Sequence, residues 1–256
     1  MITCYAVLHY VGHPFAGWQR QASQRTVQGE IEGVLERLAG QRVVTHAAGR
    51  TDAGVHALGQ VVSFKIPAKW KPADLHRALN ALLPKEIWVA EVGPAPAGFH
   101  ARRDAASRRY RYVVGCDPAS RSPFRHPFEW ALGVPLDPQA LAEAAAALPG
   151  EHDFRAFSAA GQPKRHYRCK ILLAQWEARA NGEGFIFTIE ADRFLHRMVR
   201  FLVGTMVDAA RGRRPPSDIA RLLNSDSNAE ASPPAPPQGL YFIGARYPKL
   251  GKDLGL

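Results

Sequence analysis

Hydrophobic and polar positions change period repeatedly along the chain, and each change marks an element. Ile2 to Tyr10 is dense in aliphatic and aromatic residues and predicts a strand. Thr26 precedes Val27, Ile31, Val34, Leu35 and Leu38, which recur at helical spacing, so Thr26 is the expected N-cap of a helix. Val43 and Val44 predict a short strand, and Val61, Val62, Phe64 and Ile66 a second. Leu75, Leu79, Leu82 and Leu83 mark another helix, stopped by Pro84, and Ile87 to Val92 returns to strand. The first half therefore reads strand, helix, strand, strand, helix, strand.

The second half is similar in style. Tyr110 to Val114 predicts a strand, and the alanine-rich Gln139 to Leu148 a helix with Pro138 near its start. Two longer strands are expected at Tyr167 to Ala178 and Gly184 to Ala191, with Asn181-Gly182 as a hairpin signal in a turn longer than two residues. Phe194 to Ala210 predicts a helix, Ser217 to Leu223 a shorter one, and Leu240 to Tyr247 a strand. The low-complexity stretch Ser232-Pro233-Pro234-Ala235-Pro236-Pro237 reads as a stiff extended connection. Strands and helices mix without strict βα alternation, which gives an α+β class.

Composition narrows the partner. The chain has 256 residues, 46% hydrophobic, enough for one large domain or two small ones with a sizeable core. Its formal net charge of +10 calls for a polyanion or a membrane surface. No apolar run approaches the length of a membrane span, and Met1 to Tyr10 reads as a strand rather than a secretion signal. Three isolated cysteines, Cys4, Cys116 and Cys169, fit a reducing, cytoplasmic setting. No CxxC or His/Cys cluster suggests a metal, and none is expected.

Two segments carry the charge in a pattern. Between Phe99 and Tyr112, Arg102, Arg103, Arg108, Arg109 and Arg111 interleave with Phe99, Tyr110 and Tyr112, cations for phosphates beside flat rings for bases. At about 100° per residue, the predicted late helix sets Arg193, Arg197, Arg200 and Gly204 on one face. Leu195, Met198, Val199, Leu202, Val203 and Met206 take the opposite face.

The candidate chemistry lies in Gly49-Arg50-Thr51-Asp52-Ala53-Gly54-Val55-His56-Ala57. Neither helix nor strand periodicity explains this stretch, so it is a connection between strands. A carboxylate on a glycine-bounded loop beside a permanent cation is expected to stay ionised, which suits a nucleophile better than a general acid. Asp and Gly are also ordinary turn residues, and an Arg near an Asp is usually a solvated pair of little value. Thr51, Val55, Ala57 and His56, with Gly59-Gln60 continuing into the next strand, specify this loop beyond a generic turn.

GRTDAGVHA followed by Gly59-Gln60 resembles the signature of the TruA family of tRNA pseudouridine synthases. The resemblance extends over nearly the whole chain. Phe15-Ala16-Gly17-Trp18-Gln19-Arg20-Gln21 is similar to that family's first motif, and Phe99-His100-Ala101-Arg102 with Arg109-Tyr110-Arg111-Tyr112 to its central one. His152-Asp153-Phe154 with Phe157, then Phe194 to Gly204, then Gln238-Gly239-Leu240-Tyr241 resemble its later segments in the family's order. Val11 stands where an Asp commonly precedes the glycine, a departure confined to a loop contact.

The resemblance implies an isomerase that converts uridine to pseudouridine at positions 38, 39 and 40 of the tRNA anticodon stem-loop, without cofactor or metal. It implies Asp52 as the catalytic aspartate and Arg200 as the basic residue paired with it. Arg50 becomes an RNA contact, Leu240 an apolar wall of the pocket, and Tyr110 the ring that stacks on the uracil, its hydroxyl a candidate for the C5 proton transfer. Arg197, on the predicted basic face, joins the residues expected to meet RNA. The implied fold is the pseudouridine synthase fold, two α+β halves with antiparallel sheets joined across a catalytic cleft, here 1–104 and 105–256. A homodimer is implied as well. A non-catalytic RNA-binding protein would share the charge and the aromatics but would not require Asp52. A base-excising glycosidase would need an activated water, for which the sequence supplies no second acidic motif.

Overall fold

The computed structural model describes residues 1–159 and 166–255. The chain forms two compact units, Met1–Arg108 joined by the stretch from Tyr241 onward, and Arg109–Leu240.

The first unit holds β1 (Ile2–Tyr10), α1 (Val27–Ala39), β2 (His46–Ala47), β3 (His56–Ile66), α2 (Pro72–Leu82) and β4 (Ile87–Pro94). In the second, β5 (Ser107–Gly115) is followed by β6 (Trp130–Ala131), α3 (Pro138–Ala146), β7 (Gly150–Asp153), β8 (Arg168–Ala178), β9 (Gly184–Ala191), α4 (Met198–Ala210) and α5 (Asp218–Leu222). The chain then supplies β10 (Leu240–Tyr247) and β11 (Lys252–Gly255) to the first unit.

In the first unit the strands run in the order β4-β1-β3-β10, with β2 on β3 and β11 on β10. β1 lies antiparallel to both β3 and β4, whereas β10 joins β3 in parallel through Tyr241 opposite His56 and Phe242 opposite Ala57. β3 is buried at nearly every position, so its run of apolar residues is covered on both faces and does not alternate. α1 buries Val27, Ile31, Val34 and Leu35, and its first turn is closed by the Thr26 hydroxyl accepting from the Gly29 N–H, as its sequence predicts.

The second unit orders its strands β5-β9-β8-β7, with β6 beside β5. β8 and β9 form an antiparallel hairpin whose turn places Asn181 and Gly182 at positive φ, which is why that dipeptide sits there. α4 is buried along most of its length.

Two expectations fail for local reasons. Val43 and Val44 form no strand; the following Thr45 gives both its N–H and its hydroxyl to the Glu32 carboxylate on α1, at 2.9 and 3.0 Å, and the paired strand is only His46–Ala47. The late helix does not begin at Phe194. Arg197 takes a left-handed conformation (φ 60°) as the cap, and α4 starts at Met198. Arg193 and Arg197 therefore share no helical face with Arg200. Gly204 is a buried packing site, because a Cβ there would collide with the Pro233 carbonyl. β6, β7 and β11 escape a periodicity reading because they are too short to show one.

An ion network fixes the connection from β5 to β6. Glu129, almost fully buried, accepts from Arg125 Nε at 2.8 Å and from an Arg179 Nη at 2.5 Å, while Arg125 also grips both Asp117 oxygens at 2.8 Å. Removing the Glu129 charge leaves two partly buried guanidiniums facing one another. Glu129→Gln is expected to lower unfolding free energy by about 2 kcal/mol, measured by denaturant titration. An unchanged midpoint would mean that the network carries no stability.

Candidate functional site

The stretch carrying Asp52 is irregular backbone held by buried polar side chains. It leaves β2 with the Ala48 N–H donating to the Val61 carbonyl and re-enters the sheet at His56. Gln60, fully buried on β3, donates to the Gly49 carbonyl at 2.7 Å and accepts from the Gly49 N–H at 3.4 Å. The Tyr10 hydroxyl lies 2.8 Å from Thr51 Oγ1 and 3.5 Å from Gln60 Nε2. Burial pushes the Tyr10 pKa up to about 12, the bonds from Thr51 and Gln60 opposing it, so the phenol stays protonated as a structural group.

The first motif closes on the same loop. The Trp18 N–H donates to the Thr51 carbonyl at 3.0 Å, and the Gly12 N–H to His56 Nδ1 at 3.1 Å. His56 is buried and its ring stacks on Tyr241 at 4.8 Å. Gly17 has φ +93°, and a Cβ on it would sit 2.8 Å from the Thr51 carbonyl oxygen and 3.1 Å from the Asp52 carbonyl carbon. Only glycine allows this approach. Asp52 accepts the Val55 N–H through its own carbonyl at 3.2 Å, Val55 is buried, and Gly54 turns the chain at φ +79°. Thr51 and Val55 are thus locked on either side of a half-buried Asp52, while Arg50 is exposed.

The second unit assembles the other candidates. Tyr110, on β5, is buried, with its ring edge-on to Phe194 at 4.9 Å and 81°. Arg200 lies in the first turn of α4 and exchanges two bonds with Ala235: its Nε donates to the Ala235 carbonyl at 2.7 Å and its carbonyl accepts the Ala235 N–H at 2.9 Å. The proline-rich stretch is thereby strapped to α4, with the Ser232 N–H donating to Thr205 Oγ1 and Pro233 seated over Gly204. It leads to Leu240, also buried, through Pro236, whose carbonyl accepts the Tyr112 hydroxyl at 2.7 Å. Arg197 is exposed.

The structure therefore places Asp52 and Arg50 on one loop of the first unit, and in the second Arg200 on α4, bonded to the middle of the strap that leads to Leu240. It also divides the arginine run. Arg108 is structural, donating to the carbonyls of Ala48, Ala105 and Arg102. Arg109 is committed to Glu190 at 2.6 and 2.9 Å. Tyr10 supports the site without any mark of it in the sequence, whereas Gln60, His56, Gly12 and Phe194 lie in or beside the recognised motifs. Among the described residues no group of His, Cys, Asp or Glu is arranged to hold a metal, and no helix is long and apolar enough to cross a membrane.

A family model described as tRNA pseudouridine synthase matches residues 6–104 and 144–248. The first segment contains the Asp52 loop and the second contains Arg197, Arg200 and Leu240; Tyr110 falls between them. Similar proteins include the tRNA pseudouridine synthase A of Moorella thermoacetica, 44% identical over 244 residues, which covers 94% of this chain and 97% of that protein. The protein of the same name from Myxococcus xanthus is 42% identical over 92% of this chain and 88% of its own, and that from Albidiferax ferrireducens 38% over 93% and 90%.

Proposed function

Because the chain belongs to the tRNA pseudouridine synthase family and so isomerises uridine to pseudouridine in tRNA, we propose that Asp52 is its nucleophile and that its targets are positions 38, 39 and 40 of the anticodon stem-loop. The observation that carries the assignment is the loop itself: an aspartate held between a buried threonine and a buried valine, with the first motif pressed against its backbone.

The reaction breaks the N1–C1′ bond, turns the uracil, and joins C5 to C1′; the C5 proton leaves and N1 regains one. Nothing is oxidised or lost, so no cofactor, metal or activated water enters the balance. One carboxylate suffices, by adding to the base or to the sugar. Arg200 is the basic residue that pairs with and aims that carboxylate; its backbone and Nε are already fixed by Ala235. Tyr110 stacks on the uracil once the base leaves its helix, and Leu240 forms the apolar wall. Arg50 and Arg197, both exposed, meet phosphates. The enzyme works as a cytoplasmic homodimer, in keeping with its three free thiols and with the gain in basic surface that pairing brings.

The test is to incubate the protein with unmodified tRNAs and map pseudouridine base by base, with Asp52→Ala as control. Modification confined to positions 38–40 supports the reading; modification elsewhere, or none, overturns it. For Tyr110→Phe, tRNA affinity is expected to stay within a few-fold while turnover slows by about 10- to 100-fold, read from single-turnover kinetics. An affinity loss without a rate loss would remove the hydroxyl from the chemistry.

A further inference from the structure

An aromatic tip on the second unit has no part in the site described above. Phe124 is 87% exposed, far more than any other large hydrophobic side chain among the described residues, and Phe128 close by is 39% exposed. Arg121, Pro123 and His126 around them are exposed as well. These residues lie between the two segments that the family model matches.

The tip is carried on a braced arm. The chain leaves β5 at Gly115, and the Cys116 N–H is held by the Glu183 carbonyl. It returns as β6, parallel to β5, with Val114 opposite Trp130. Inside the arm, the His126 N–H donates to the Ser122 carbonyl and the Phe124 N–H to Ser122 Oγ. Arg125, next to Phe124, is tied to Asp117 and Glu129 as described, and the His126–Phe128 turn rests against Pro237–Gly239, which leads into Leu240. A buried charge network does no more for stability than apolar packing would. What it fixes here is the backbone of the arm that carries Phe124.

We propose that Phe124 is a stacking platform for an unpaired base of the tRNA substrate, a second RNA contact beyond the target uridine. This rests on the reading of the protein as a tRNA pseudouridine synthase. Charge supports it: the two carboxylates of the arm, Asp117 and Glu129, are neutralised by Arg125 and Arg179, which leaves the exposed Arg121 three residues before Phe124 on a chain of net charge +10. An exposed ring on a basic surface with an arginine close by in the chain matches a base and its phosphate. A second copy of the chain is the weaker fit, since a stable protein interface needs about 800 Å² per partner with an apolar centre, whereas a single ring suffices for a base.

The experiment compares wild type, Phe124→Ala and Phe124→Trp on one full-length unmodified tRNA under steady-state conditions, with sedimentation of each variant. At 87% exposure the side chain supports no core, so both variants fold. Phe124→Ala is expected to raise KM about tenfold or more with kcat unchanged, and Phe124→Trp to restore the wild-type value. An unchanged KM in Phe124→Ala overturns the proposal, and so does loss of the dimer, which would make the tip a subunit contact. If the wild type forms no pseudouridine at all, the functional reading fails instead, and the two failures are distinct.

Discussion

Asp52→Asn is expected to abolish pseudouridine formation, by on the order of 10⁴-fold or more, while tRNA binds at least as tightly as to the wild type. The asymmetry follows from how the loop is built. Much of its support runs through the backbone carbonyls of Thr51 and Asp52, the Thr51 hydroxyl and the backbone of Gly49. An isosteric amide at position 52 preserves the Val55 N–H bond to its carbonyl and the approach of Gly17, so the loop keeps its shape. What is lost is the negative charge and the nucleophilic oxygen. Removing one negative charge from a chain of net charge +10 cannot weaken attraction to phosphates. Rates at saturating tRNA and equilibrium binding of the same tRNA, measured side by side, separate the two effects. Turnover near the wild-type rate would take the nucleophile's role from Asp52. A parallel loss of binding would mean that the loop serves recognition.

The elements that position this loop were legible because they are long and regular. β1, α1, α2 and the β8–β9 hairpin follow from apolar periodicity, a capping threonine and an Asn-Gly turn. The loop stood out for the opposite reason: it is specified in residue type and fits no period. The late arginines were misread because spacing cannot see a break in the helix. At Arg197 the backbone turns left-handed, and no glycine or proline announces it. The short strands were invisible since two to four residues show no alternation. Tyr10 could not be found from sequence at all. It ends an ordinary strand, and its tie to Thr51 exists only once β1 and β3 have paired, 41 residues apart in the chain.

Gly17→Ala is expected to cut turnover by about a hundredfold or more while the protein stays folded and tRNA affinity changes only a few-fold. Two penalties act at this position. A φ of +93° is strained for any residue with a Cβ, and the added methyl group would sit 2.8 Å from the Thr51 carbonyl oxygen, with the backbone of Asp52 and Ala53 at 3.1 Å. These neighbours are backbone atoms, so relief requires the loop itself to move. The Trp18 N–H bond to the Thr51 carbonyl moves with it, and a displacement of a few tenths of an ångström is passed to Asp52. Gly40 supplies the control. It also has positive φ, +69°, as the C-cap of α1, but nothing lies within 4 Å of where its Cβ would stand. Gly40→Ala should therefore cost about 1 kcal/mol of stability and leave turnover intact. If both variants lose stability and neither loses turnover, the contact between the first motif and the Asp52 loop only holds the fold together. A turnover loss confined to Gly17→Ala makes that contact the device that aims the carboxylate.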